Sequence, residues 1–137
     1  VIISLGTNEA YTKHYDQEEF SRNLSALIDL IRKHTEKTFI LLNTPGDGLI
    51  NGKDSNINNF TARKDIIALA RKKKCAWWDF YNIMGGEGSI DEWFQHELTA
   101  RDQLHLNKKG YRLKGNLFFD AFEEFFTPYY HKSLKAE

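Results

Sequence analysis

The chain has 137 residues, the size of one domain or part of one, and its 41% hydrophobic and 28% charged residues are the balance of a globular chain, not a disordered or fibrous one. Lys and Arg number 19, Asp and Glu also 19, so with no net charge there is no electrostatic grip on nucleic acid or an anionic membrane to expect. The longest apolar runs, 39–42 and 75–78, are too short to span a bilayer, and the single cysteine, Cys75, excludes an internal disulfide framework and a multi-cysteine zinc site.

Residues 1–5 (Val-Ile-Ile-Ser-Leu) form a β-branched run ended by Gly6-Thr7-Asn8, which predicts a strand meeting a turn. No initiator Met, leader or polar lead-in stands before that strand, and the chain is therefore expected to be the C-terminal part of a longer protein. Asp16 sits where an N-cap should, with Glu19 three residues on. Phe20, Leu24, Leu27, Ile28 and Ile31 then recur at helical spacing, predicting a helix over 17–33. Residues 38–43 predict a buried strand stopped by Thr44-Pro45-Gly46, and the polar stretch 47–56 predicts a loop.

A second helix is expected over 58–74, with Phe60, Ile66, Ile67, Leu69 and Ala70 inward and a basic end that suits the helix dipole. A third strand follows over 75–81, then a glycine loop at 85–88, a short helix over 90–98 and a polar loop over 101–107. The last helix, 108–126, bears Leu113, Leu117, Phe118, Ala121, Phe122 and Phe125. The aromatic residues are expected mostly in the core, with Trp77 and Trp78 on opposite faces of the third strand, both under helices. Alternating strands and helices, with two strands continuously apolar, predict an α/β fold whose parallel sheet is covered on both faces. In such sheets ligands collect at the carboxyl ends of the strands, which points to 6–9, 44–48, 81–86 and 101–107.

Two constellations fall in those segments. Asp102-Gln103-Leu104-His105 puts a carboxylate three residues from an imidazole; in a tight turn the carboxylate reaches Nδ1, fixes the tautomer and leaves Nε2 as a general base. In Gly6-Thr7-Asn8-Glu9, Gly6 permits close backbone approach and the Asn8 carboxamide can donate to a developing oxyanion. Asn8 can equally satisfy its own backbone in an Asx turn. Glu9 can tie this loop by hydrogen bonds, and Trp93, beside the glycine loop, is a candidate wall against a sugar ring. His96 with Asp102 and His105, or His14 with Asp16, lack metal-ligand spacing, so no metal and no cofactor are expected. His34 and His131, near helix ends, should face solvent. The stretch 46–53 lacks the full phosphate-loop pattern, and Asp47 and Asp54 would repel phosphate.

The blocks VIISLGTNE and DQLHLNKKGY resemble the third and fifth blocks of the SGNH (GDSL-type) hydrolase family, and the resemblance runs over essentially the whole chain. It implies a three-layer α/β/α, flavodoxin-like fold with a parallel sheet, of which residues 1–137 are the C-terminal portion of a single domain lacking its N-terminal strands. It further implies Asn8 as oxyanion donor, His105 as base and Asp102 as its orienter. The stretch Trp78-Asp79-Phe80-Tyr81-Asn82-Ile83-Met84-Gly85-Gly86-Glu87-Gly88-Ser89-Ile90, then Trp93 and Gly110-Tyr111, looks like the branch containing bacterial peptidoglycan O-acetylesterases and related carbohydrate esterases. That branch implies an acetylated carbohydrate or other small ester as substrate and a periplasmic, envelope or secreted location.

The family's nucleophilic Ser, in a Gly-Asp-Ser block, is absent, as is its second-block Gly. None of Ser4, Ser21, Ser25, Ser55, Ser89 and Ser133 stands in such a setting, and Ser89 alone lies in a glycine-rich loop. The expectation is a serine-type esterase whose nucleophile lies upstream, with the chain inactive by itself. Its apolar first-strand edge should be covered by the rest of the protein or by a second copy. The other reading is a non-catalytic carbohydrate-binding or assembly domain on the same fold, and a Gly-Asp-Ser upstream of Val1 separates the two.

Overall fold

A computed structural model describes residues 1–35 and 37–133, with the side chains of 128–133 outside the description. In chain order the elements are β1 (Ile2–Ser4), α1 (Thr7–Ala10), α2 (Gln17–His34), β2 (Leu41–Asn43), β3 (Leu49–Ile50), β4 (Asp54–Ser55), α3 (Ile57–Lys73), β5 (Ala76–Trp78), α4 (Phe80–Met84), α5 (Ser89–Gln95) and α6 (Lys108–Ser133). Strands β1, β2 and β5 make a parallel sheet in the order β1-β2-β5, with Ile3 beside Leu42 and Leu42 beside Trp77.

Alternation along the central strand builds two cores. Leu42, with Ile3, turns to one face, where Phe20, Leu24 and Ile28 of α2 and Ile66, Leu69 and Ala70 of α3 cover it. Leu41, with Trp78, turns to the other, against Phe80, Met84, Ile90 and Trp93 and under Leu113, Leu117, Phe118 and Ala121 of α6. The result is three layers, α/β/α, as the sequence pattern requires. Helix α2 starts where predicted: the Asp16 carboxylate accepts the Glu19 N–H at 2.8 Å.

Several expected elements differ. The segment 47–56 is not all loop; β3 and β4 pair as an antiparallel hairpin across Asn51, Gly52 and Lys53, the first two with positive φ values of 54° and 64° and Lys53 N–H donating to Ile50 O at 3.2 Å. The third strand stops at Trp78, because Asp79 caps α4, accepting the Asn82 N–H, and its carboxylate also takes a two-pronged contact from Arg63 at 2.6–3.0 Å. Phe80 and Tyr81 therefore belong to a helix. On α3 the inward positions include Asn59, fully buried, whereas Phe60 is 37% exposed.

The aromatic residues are also less buried than expected. Trp78 is in the core, but Trp77 remains 40% exposed, beneath the Arg71 guanidinium at 5.3 Å. Phe119 and Phe125 are more than half exposed. Strand β1 pairs with β2 along one side, and its other side has no strand partner among the described residues; Ile2 beside it is 58% exposed. Among those residues no helix is long and apolar enough to cross a membrane.

Candidate active site

The loop between α5 and α6 folds around one carboxylate. Asp102 Oδ1 accepts the backbone N–H groups of Leu104 and His105, both at 3.0 Å, while Oδ2 lies 2.8 Å from His105 Nδ1. Burial alone raises the Asp102 pKa, but the His105 ring and the two backbone N–H groups outweigh it and hold the carboxyl at about 2. The turn is tied on three sides. Ala100 N–H donates to His105 O at 2.8 Å, Thr99 bridges Leu106, and Leu49 N–H of the hairpin donates to Gln103 O at 2.9 Å. Asn107 closes the loop and caps α6, its Oδ1 accepting from Lys109 and Gly110 N–H and its Nδ2 donating to Glu97 and Thr99 carbonyls. A side chain at 110 would strike the Leu98 carbonyl, so only glycine fits this helix start.

At the other end of the chain the turn after β1 is the short helix α1. Gly6 takes φ 115°, a conformation that costs glycine little, and its N–H donates to Glu9 Oε2 at 2.8 Å. Glu9 thus ties this turn. Asn8 makes no side-chain hydrogen bond among the described residues, so the Asx turn does not form and its carboxamide is uncommitted. Two buried or half-buried asparagines brace the helix from behind. Asn56 Nδ2 donates to Ala10 O at 3.2 Å; Asn58 Nδ2 donates to Ala10 O at 3.3 Å and Thr12 O at 2.7 Å.

Asn8 and His105 line one cleft of about 210 Å³ with Ser4, Asp47, Phe80 and Lys114. A larger groove of about 560 Å³ beside α2 holds neither. Gly6 does not line the cleft; it shapes the turn, its N–H already engaged by Glu9. Trp93 is corrected to a core residue: it is 8% exposed, its indole N–H donates to Met84 O at 3.0 Å, and its ring meets Phe80 edge-on at 5.7 Å, away from the cleft. Ser89 is buried and donates to Gly86 O at 2.7 Å. Ser4 lines the cleft, and its oxygen accepts from Asn43 Nδ2 at 2.8 Å. His34 and His96 are exposed, the side chains of His131 and Ser133 lie outside the description, and no group of three metal-binding side chains occurs among the described residues.

Two cleft residues escaped the sequence reading. Asp47 is 4% exposed; burial pushes its pKa up, and the backbone N–H groups of Ile90, Gly48 and Gly88 oppose that rise. Lys114 carries its ammonium 4.2 Å from the Phe80 ring centroid, and burial pulls its pKa down to about 8. The signal for Lys114 was present: it stands on the apolar face of α6, four residues before Phe118.

An aspartate–histidine pair thus stands in a cleft at the carboxyl edge of a parallel sheet. The chain belongs to the GDSL-like lipase/acylhydrolase family, whose model matches residues 1–113. Among solved structures it is similar to one described as a peptidoglycan O-acetylesterase in action, with 26% identity, a TM-score of 0.85, and 91% of this chain and 37% of that one covered. It shares its fold with a lipase/acylhydrolase from Enterococcus faecalis (20% identity, TM-score 0.68, 90% and 60% covered). The same holds for the esterase domain of the zebrafish ZfL2-1 retrotransposon ORF1 protein (16% identity, TM-score 0.62, 80% and 60% covered). The chain thus spans 37–60% of the length of these structures. Among curated proteins none matches.

Proposed function

We propose that the chain is the C-terminal portion of a single esterase domain that removes O-acetyl groups from carbohydrate, peptidoglycan or another polysaccharide, in the cell envelope or outside it. The observation that carries this reading is the shared cleft: an imidazole held through Nδ1 by a carboxylate at 2.8 Å, and an uncommitted carboxamide, Asn8, on the same cavity wall. The likeness to a peptidoglycan O-acetylesterase supports the substrate. We assign the serine to the part of the protein this chain does not span: Ser89 donates its hydroxyl to Gly86 O, and Ser4, which lines the cleft and accepts from Asn43 Nδ2, stands in no Gly-Asp-Ser setting.

In this mechanism the serine attacks the ester carbonyl as Nε2 of His105 takes its proton. Asp102 stabilises the imidazolium, and the Asn8 carboxamide donates to the tetrahedral oxyanion. The imidazolium returns its proton to the departing alcohol, and His105 then activates water to release acetate. No cofactor takes part.

Hydrolysis of 4-nitrophenyl acetate tests this. The full-length protein should be active and the 137-residue chain at background. Equal activity in both would assign the nucleophile to this chain. In the full-length protein His105→Ala should cost roughly six orders of magnitude in kcat, as loss of a triad histidine does. His96→Ala, on the exposed end of α5, should change the rate by less than about twofold.

A further inference from the structure

Asn8 and His105 stand 97 positions apart in the chain, yet the segments that carry them are both tied to the β3–β4 hairpin. On the imidazole side, Leu49 N–H donates to Gln103 O at 2.9 Å. Gln103 takes φ 50°, a left-handed conformation unfavourable for a residue with a side chain, so its turn keeps that shape only where neighbours hold it. Gly48 packs directly against this turn: a Cβ there would lie 3.1 Å from Leu104 Cδ1 and 3.5 Å from Gln103 O.

On the carboxamide side, the hairpin reaches the end of α1 twice. At its base Asn56, 1% exposed, donates its N–H to Gly48 O at 3.0 Å and its Nδ2 to Ala10 O. At its tip Asn51 exchanges two hydrogen bonds with the Tyr11 hydroxyl. Every one of these contacts joins two described segments and none involves β1, so strands added beside β1 replace none of them.

We propose that the hairpin is the spacer that sets how far the Asn8 carboxamide stands from the His105 imidazole, with Gly48 and Tyr11 as positioning residues, one on each side. The inference rests on the esterase reading, in which donor and base serve one tetrahedral centre. A shift of either by a fraction of an ångström then slows the chemical step and leaves substrate binding nearly as it was.

The test uses the full-length protein and 4-nitrophenyl acetate. In Gly48→Ala the new methyl displaces Leu104 and its turn, so kcat should fall about tenfold with KM within about twofold. Adding Leu104→Val withdraws the atom the methyl strikes and should restore most of the loss, whereas Leu104→Val by itself should not raise kcat. Tyr11→Phe should lower kcat about fivefold, and Asn51→Gly, which removes the acceptor of the same hydroxyl, should add nothing to it. A loss of stability alone produces neither the split between kcat and KM nor the second-site rescue. The proposal is overturned if kcat stays within about twofold of wild type in either folded variant, or if Leu104→Val restores stability to Gly48→Ala without restoring kcat. Should Gly48→Ala fail to fold, Tyr11→Phe and Asn51→Gly decide: an unchanged kcat, or losses that add, overturns it. Cleavage that is abolished by His105→Ala but untouched by Gly48→Ala and Tyr11→Phe overturns this inference alone. No cleavage by wild type overturns it together with the esterase reading.

Discussion

An imidazole serves as a base only when its other nitrogen is fixed, and Asp102 does this with one oxygen while the other holds the turn that carries the ring. Asp102→Asn keeps the shape but offers an N–H where Nδ1–H needs an acceptor. In the full-length protein kcat should fall by roughly three to four orders of magnitude with the turn preserved. The same carboxylate makes stability depend on acid. Its folded pKa, about 2, lies below the ordinary 3.8, so its contribution is complete above that value and disappears as pH falls through about 2. Thermal melts between pH 5 and pH 2 should show wild type losing stability that Asp102→Asn does not lose; parallel curves would refute the linkage. The Asp102–His105 contact was legible in the sequence because it spans three residues of one loop. Asp47 was not, since its place in the cleft depends on where the segment after β2 comes to rest; for Lys114 the sequence shows a lysine on the apolar face of α6 but not that this face meets the cleft. Trp93 misled for the same reason: nearness in sequence to a glycine loop does not say which side of the helix faces it.

At the scale of elements, the shortest helix carries the most depends-on-position group. Helix α1 has four residues and cannot stand alone, because so short a helix leaves most of its backbone groups without partners. Its C-terminal carbonyls are met by Asn56 and Asn58 from the start of α3. Asn58→Ala removes the donor to Thr12 O and one of two donors to Ala10 O. In the full-length protein we expect kcat to fall about tenfold with KM nearly unchanged, and stability to fall by about 1–2 kcal/mol. A variant that loses stability but keeps kcat would show the brace to be structural only. The long helices were readable from their period and caps, Asp16 above all. The hairpin β3–β4 was missed although Asn51-Gly52 announces it, because strands of two residues show no alternation to read. The third strand was drawn too long because apolar continuity hid Asp79 as a cap.

At the scale of the molecule, the sheet has an edge that its neighbours do not cover. Ile2 is exposed beside β1, and the groove of Ile2, Trp78 and Phe118 runs along it. Exposed, apolar edges pair with other chains. On the proposal that the chain is the C-terminal portion of a domain, the 137-residue chain on its own should self-associate in sedimentation, while a full-length protein whose other strands cover this edge should not do so through it. A stable, well-ordered monomer of the chain alone would argue against an unfilled edge. The three-layer arrangement was evident from the alternation of elements; that the first strand lies at the edge followed from the family resemblance and not from the residue pattern, since strand order is set by pairing between segments far apart in the chain.

The hairpin meets the turn that presents the imidazole through Leu49 N–H to Gln103 O at 2.9 Å. Its tip is pinned beside α1, where the Tyr11 hydroxyl donates to Asn51 Oδ1 at 3.3 Å and accepts the Asn51 N–H at 3.2 Å. The two segments that bring Asn8 and His105 to the cleft, one from each end of the chain, are thereby strapped to the same pair of short strands.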